Sequence, residues 1–340
     1  MTQKLIIGGI IAFAILGALF FIEDFKHAPA ITASEDTTSN DTNILPRFIE
    51  NIIEEKPTSA QFIFVGDIML GRGVATSVKK NMNDDFNELF KNVPELKQAD
   101  VAFGNLEGPI SERGRNVGSK YSFRFEPRTK DALKNAGFDV LSTANNHSGD
   151  WTIDAFTDTL TYLQGVGILT PGGGMNKQEA IEPQIIEKNG VRYGFLGFSD
   201  VGPNWLEASK TTAGILLASD PGYETIIKNA KAKVDILLVS IHWGDEYKPH
   251  NARQTKLGRS AIDNGATIVI GHHPHVEEAV EEYNQGLIIY SLGNFIFDQY
   301  FSAETMQGLV VEAELNKDGL ISYNKKHVTL SRQYQPIRIE

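Results

Sequence analysis

Residues 61–67 read QFIFVGD, and residues 266–275 read ATIVIGHHPH. Each is an apolar run of strand length that ends at once in side chains able to bind a metal. Three more stretches repeat the pattern. ADVAFGNLEG (99–108) ends in Asn105 and Glu107, FDVLSTANNH (138–147) in Asn145, Asn146 and His147, and VDILLVSIHWG (234–244) in His242. Apolar residues at helical spacing predict helices between these runs, over 129–136, 153–163 and 223–231 and around 252–264. Strands alternating with helices of that length predict a mainly parallel sheet. Sites in such sheets form beyond the carboxyl ends of the strands, which brings all five clusters to one edge.

Each cluster alone is a weak signal, since a lone His after a strand is usually capped and hydrogen-bonded. The combination says more. Asp67, Asn146, His147, His242, His273 and His275 at one edge would be costly to collect without a cation to neutralise and orient them. Imidazole with carboxylate suits zinc, manganese or iron, and a metal-free polar cleft is the alternative. The chain has no Cys, which excludes disulfides, thiolate catalysis and thiolate zinc sites. Its formal charge of −11 argues against a nucleic-acid partner.

The amino-terminal end reads differently from the rest of the 340 residues. Residues 5–22 are an unbroken run of 18 apolar or glycine residues. At about 1.5 Å per residue, such a helix is roughly 27 Å long and just crosses a bilayer core. Lys4 before it and Glu23 and Asp24 after it favour the amino terminus inside and the remainder outside. Cleavage near Ala28-Pro-Ala30 is the alternative, and it too puts the bulk outside the cytoplasm. The expected organisation is therefore a cytoplasmic stub and transmembrane anchor over 1–26, then a linker with a short amphipathic helix over 27–58. A globular domain follows over 59–340.

The motifs resemble the calcineurin-like metallophosphoesterase superfamily. The likeness rests on Gly66-Asp67, Gly104-Asn105-Leu106-Glu107, Asn145-Asn146-His147, His242-Trp243-Gly244 and Gly271-His272-His273-Pro274-His275. More narrowly, the chain resembles the CapA family of poly-γ-glutamate capsule biosynthesis proteins. The blocks that carry this are GDIMLGRG (66–73), GNLEGPIS (104–111), FRFEP (123–127), ANNHSGDW (144–151), GGGMNKQEA (172–180), IHWGDEY (241–247), GHHPHV (271–276) and YSLGNFIFDQ (290–299). The resemblance implies a metallophosphatase-like four-layer α/β/β/α sandwich behind one N-terminal transmembrane helix.

It also implies roles. Asp67, Glu107, Asn146, His242, His273 and His275 would hold one or two divalent ions, Mn, Zn or Fe. His147 would act on the substrate, oriented by Asp150, while Asn105, Arg72, Arg124 and His272 would contact it. The implied function is poly-γ-glutamate synthesis or export in a capsule-synthesis membrane complex. Hydrolysis of a phosphate-containing substrate and a non-catalytic anchored scaffold are the alternatives. Two positions depart from the superfamily pattern. Met69 stands where a His is usual, and a thioether is a poor ligand for a hard divalent ion. Glu107 replaces the usual bridging Asp. Gly172-Gly173-Gly174 lacks a following Gly-Lys-Ser/Thr and reads as a turn. Residues 308–330, with Lys317-Asp318-Gly319 between two apolar runs, read as a terminal hairpin.

Overall fold

The computed structural model describes residues 58–340. The apolar run 5–22 and nearly all of the expected linker and amphipathic helix lie outside the described residues. No helix among the described residues is long and apolar enough to cross a membrane.

Along the chain come β1 (Ser59–Ile68), α1 (Arg72–Asn81), a short α2 (Glu95–Gln98), β2 (Val101–Leu106), α3 (Thr129–Ala136), β3 (Phe138–Ser142) and α4 (Thr152–Gly165). The middle holds β4 (Gly173–Gly174), α5 (Lys177–Ile181), β5 (Gln184–Lys188), β6 (Val191–Ser199) and β7 (Gly214–Ile215). Next are α6 (Tyr223–Lys231), β8 (Ile236–His242), α7 (Ala252–Asp263) and β9 (Ile268–His272). The chain closes with β10 (Val280–Tyr283), β11 (Gly286–Ile289), β12 (Asn294–Ile296), β13 (Gln307–Asn316), β14 (Gly319–Leu330) and β15 (Pro336–Ile339).

The alternation of strands and helices by itself reads as one mainly parallel sheet, whereas two mixed sheets are found, the number that the α/β/β/α expectation requires. The first runs β15-β14-β13-β1-β2-β3 with β12 also on β1, and the second runs β10-β11-β9-β8-β6-β5. The parallel strands β12-β1-β2-β3 form one end of the first sheet and β11-β9-β8-β6 the middle of the second, and antiparallel strands extend both. The reason lies in the side-chain alternation. Phe62 and Phe64 of β1 enter one core, while Ile63 and Val65 enter another. In β8, Ile236 and Leu238 join Phe62 and Phe64, while Leu237, Val239 and Ile241 face α6 and α7. Strands apolar on both faces need cover on both, and each sheet takes helices on one side and the other sheet on the second. The layers are thus helix, sheet, sheet, helix. Phe103 marks the seam, stacked on Phe195 of the opposite sheet at 6.2 Å between ring centroids.

Of the two local expectations outside the main pattern, the hairpin is met and the glycine turn is met at Gly172 only, since Gly173 and Gly174 pair with β7 as β4. Gly172 sits at φ 84 in a turn where a Cβ would lie 2.5 Å from the Gly197 carbonyl oxygen. Asn176 then caps α5 by accepting from the Glu179 N–H. The terminal hairpin forms as β13–β14, with Asn316 opposite Gly319.

Candidate metal centre and cleft

Strand register lines up most of the site. In the first sheet Asp67 pairs with Asn105 on one side and with Asn294 on the other, and Asn105 pairs with Ser142. In the second sheet His242 pairs with His272. Apart from Asn294, which opens β12, each row lies at the carboxyl ends of parallel strands, and the two sheets bring the rows together. All of these side chains are buried.

Asn105 is the polar hub. Its Nδ2 donates to Asp67 Oδ1 at 2.8 Å and lies 3.5 Å from Glu107 Oε2 and 3.4 Å from His242 Nδ1. Its Oδ1 accepts from Asn145 Nδ2 at 3.2 Å. Asn145 in turn accepts from the His147 N–H and the Ser148 hydroxyl, which fixes the turn after β3. That turn places Asn146 Oδ1 2.9 Å from His242 Nε2. Two ligands of one ion, bonded at about 2.0–2.1 Å, stand about 3 Å apart, so this spacing suits a shared ion.

His275 lies between two carboxylates. Its Nδ1 is 3.3 Å from Asp67 Oδ2 and 3.1 Å from Asn294 Oδ1, and its Nε2 is 3.6 Å from Glu107 Oε1. His272 Nδ1 is 3.2 Å from Asp67 Oδ1, within charge–charge reach but outside hydrogen-bond geometry. His273 and His275 both adopt left-handed backbone, φ 101 and φ 58. Such strain persists where the surrounding structure holds it, commonly at functional sites.

The electrostatics follow from burial. Burial pushes Glu107 well above the usual carboxylate range, and neighbouring Asp67, Glu246 and Asp150 add to the shift. Burial also opposes the charge on Asp67, yet His272 and His275 hold its carboxyl well below that range. Burial and His273 keep His242 neutral, and burial and His275 push His273 down to about 3. Burial disfavours the His275 charge, but Glu107 and Asp67 prevail and raise it to about 9. His242 and His273 are thus neutral, the form a metal requires, whereas His275 would release its proton on metal binding.

The residues fit a divalent ion on their own evidence. Asp67, Glu107 and His275 each offer a ligand atom, all within 4.8 Å of one another. Glu107 Oε1, both ring nitrogens of His272 and Nδ1 of His273 are buried without a hydrogen-bond partner. Glu107 Oε1 and one ring nitrogen each of His272 and His273 are orphaned buried atoms whose cost a nearby cation would reduce.

The His147 Nδ1–H donates to Asp150 Oδ2 at 2.7 Å, and its Nε2 faces Glu107 Oε1 at 3.8 Å. Asp150 is itself fixed by the Phe123 N–H at 2.8 Å and the Ser119 hydroxyl at 3.1 Å. The Phe123 ring lies 3.9 Å from the His147 ring. Both face a cleft of about 300 Å³ that also takes in Arg72, Glu246, Tyr247 and His275. Arg72 is held there by Asp298, with contacts of 2.9 and 3.1 Å.

The model of the family described as "Bacterial capsule synthesis protein PGA_cap" matches residues 61–299, a span that holds every residue of this site. The chain belongs to that family. The PGA biosynthesis protein CapA of Bacillus subtilis is 35% identical over 260 residues, covering 75% of this chain and 68% of that protein. Capsule biosynthesis protein CapA of Bacillus anthracis is also 35% identical, covering 75% and 64%. The chain thus spans about two thirds of the length of these relatives. Among solved structures, a 5′-nucleotidase precursor from Thermus thermophilus is similar at TM-score 0.48 and 14% identity, over 82% of this chain and 56% of that one.

Of the residues read from sequence, Asp67, Asn105, Glu107, Asn146, His147, Asp150, His242, His272, His273 and His275 form one connected cluster, with Arg72 in the adjoining cleft. Arg124 does not join them. Its guanidinium lies over the Trp151 ring at 3.6 Å, away from the residues that line the cleft. Met69 is buried, and its sulfur accepts from the Gly71 N–H at 3.2 Å. Asn294, beside His275, and Glu246, in the cleft, are among the residues here that sequence reading did not single out. Asn294 had a signal, because it too follows an apolar run, IIYSLGN.

Proposed function

We propose that this chain is a membrane-anchored, extracytoplasmic capsule-biosynthesis protein that acts in poly-γ-glutamate synthesis or export through a metallophosphatase-like site. The observation that carries the reading is the PGA_cap match over 61–299, with the buried His, Asp, Asn and Glu cluster inside it. The named relatives are a PGA biosynthesis protein and a capsule biosynthesis protein. The 18-residue apolar run supports anchoring, with the domain outside and a membrane synthesis complex as its partner. Release after signal cleavage is the alternative, and fractionation separates the two. A cell-free supernatant form trimmed near residue 30 would overturn the anchor.

Asp67, Glu107, Asn146, His242, His273 and His275 would hold the divalent ion. When bound, the ion polarises an ester or acyl oxygen as a Lewis acid. The chain's own contribution is proton handling and orientation. Asp150 keeps the His147 proton on Nδ1, leaving Nε2 to exchange a proton with the leaving group. Phe123 excludes water from one side of that imidazole, and Arg72 meets an anionic group of the substrate. The test is deletion of the gene with complementation. Cell-associated polymer falls on deletion and returns with the wild type but not with His147→Ala or His242→Ala. Unchanged polymer on deletion overturns the reading.

A second reading, a metal-dependent phosphoesterase, is supported by the His147–Asp150 pair beside the cluster. A screen of phosphate esters with Mn²⁺, Zn²⁺ and Fe²⁺ tests it, and absence of turnover with every ion removes it. The third, a non-catalytic scaffold, draws on the engagement of Met69 with backbone. It predicts that alanine at both His273 and His275 leaves polymer formation intact.

A further inference from the structure

From the side-chain geometry beside the cleft, we infer that Glu246 is a metal ligand, acting with His273 and His275 on the cleft side of the cluster. The inference rests on the metal-centre reading above and adds a residue to it. Two triads of ligand atoms share His275. Asp67, Glu107 and His275 form one that is wholly buried, and Glu246, His273 and His275 form another that opens to the cleft through exposed Glu246. In each, the ligand atoms lie within 4.8 Å of one another.

The first argument is ligand supply. The sequence resemblance leaves the cluster one imidazole short, the Met69 sulfur is already taken by the Gly71 N–H, and Glu246 brings a further ligand atom to His273 and His275. A carboxylate oxygen suits a hard or borderline divalent ion better than a thioether does. The second argument is an unpartnered atom. His273 Nδ1 is buried without a hydrogen bond, in a residue only 7% exposed. The third is how Glu246 is held. It lies between Gly244 at φ 84 and Tyr247 at φ 62, both in left-handed backbone. The Tyr247 N–H donates to the Pro274 carbonyl at 2.8 Å, which ties the loop to the middle of His273-Pro274-His275. Gln299 Nε2 donates to the Tyr247 hydroxyl at 2.9 Å and braces the same loop from the other side of the cleft. Glu246 is therefore carried on backbone locked to the two histidines it would join. Two imidazoles and one carboxylate leave ion positions open to substrate, the usual composition of a catalytic rather than a structural site.

The test is calorimetric titration of Mn²⁺ into the full-length chain, comparing wild type with Glu246→Gln and Glu246→Asp. Because Glu246 is exposed, metal-free thermal midpoints stay within a degree or two of wild type. Glu246→Gln should weaken binding of an ion by roughly 10- to 100-fold, with Glu246→Asp in between. Wild-type affinity and stoichiometry in Glu246→Gln would overturn the role of Glu246 while leaving the metal centre standing. If the wild type takes up no Mn²⁺, Zn²⁺ or Fe²⁺, both readings fall together.

Discussion

Asp150 is the residue on which the orientation of His147 depends. Its two oxygens accept from His147 Nδ1, the Phe123 N–H and the Ser119 hydroxyl, so it sets both the imidazole and the aromatic wall beside it. With the phosphoesterase reading as the assay, His147→Ala should lower kcat by about 10²–10⁴-fold at unchanged Mn²⁺ stoichiometry. Asp150→Asn should give a smaller loss, about 10-fold or more, because an amide can keep the contacts but not the charge. A parallel loss of bound Mn²⁺ would show that these residues act on the ion instead. A second residue-scale effect lies outside the site, at Glu278. Burial lifts its carboxyl from an ordinary 4.5 to about 7, partly offset by the hydrogen bond from Gln254. Because the folded value is the higher one, the native state is the stronger proton binder. Stability is therefore full below about 4.5 and declines as the pH rises through 7. Glu278→Gln should flatten that decline, gaining about 1 kcal/mol at pH 8 and nothing at about pH 4.5 once partial exposure is allowed for. Urea denaturation at the two pH values measures it.

Among the elements, the strands that deliver ligands depend on glycine just before them. A Cβ on Gly66 would lie 2.0 Å from the Gly293 carbonyl oxygen, and one on Gly271 would lie 2.0 Å from that of Tyr290. Both glycines let a neighbouring strand approach to where Asp67 or His272 enters the cluster. Gly66→Ala should cost about 3 kcal/mol or more by thermal denaturation. Gly165→Ala, at the end of α4 with nothing within 4 Å, should be neutral or slightly stabilising. Equal effects would argue against close strand packing as the cause. Much about the elements was legible. The helices expected over 129–136 and 223–231 are observed as Thr129–Ala136 and Tyr223–Lys231, because apolar spacing and a burial face are local properties. β12 was not, because a three-residue strand has no period to read.

For the molecule as a whole, the site exists because two sheets meet. Phe103 stands at that meeting, 6.2 Å from Phe195, 6.1 Å from Phe64 and 6.0 Å from the His272 ring. Phe103→Ala should cost about 3–5 kcal/mol. An ion that binds only the folded chain should raise the thermal midpoint, equivalent to about 2.7 kcal/mol at a hundredfold excess over Kd, and a chelator should reverse it. A midpoint indifferent to both would count against the metal centre. Composition and short-range periodicity sufficed to say which residue types could serve and that no thiolate was among them. They also sufficed to place Asp67, Asn105, Glu107, Asn146, His147, His242, His273 and His275 at the ends of strands or in the turns that follow them. The division of those strands between two sheets had to come from packing, because a strand apolar on both faces does not state what covers either one. The same packing brought Asn294 and Glu246 beside His275, turned Met69 to Gly71 and laid Arg124 on Trp151. Most of those neighbours come from distant parts of the chain, and their contacts depend on how the sheets and loops pack in three dimensions.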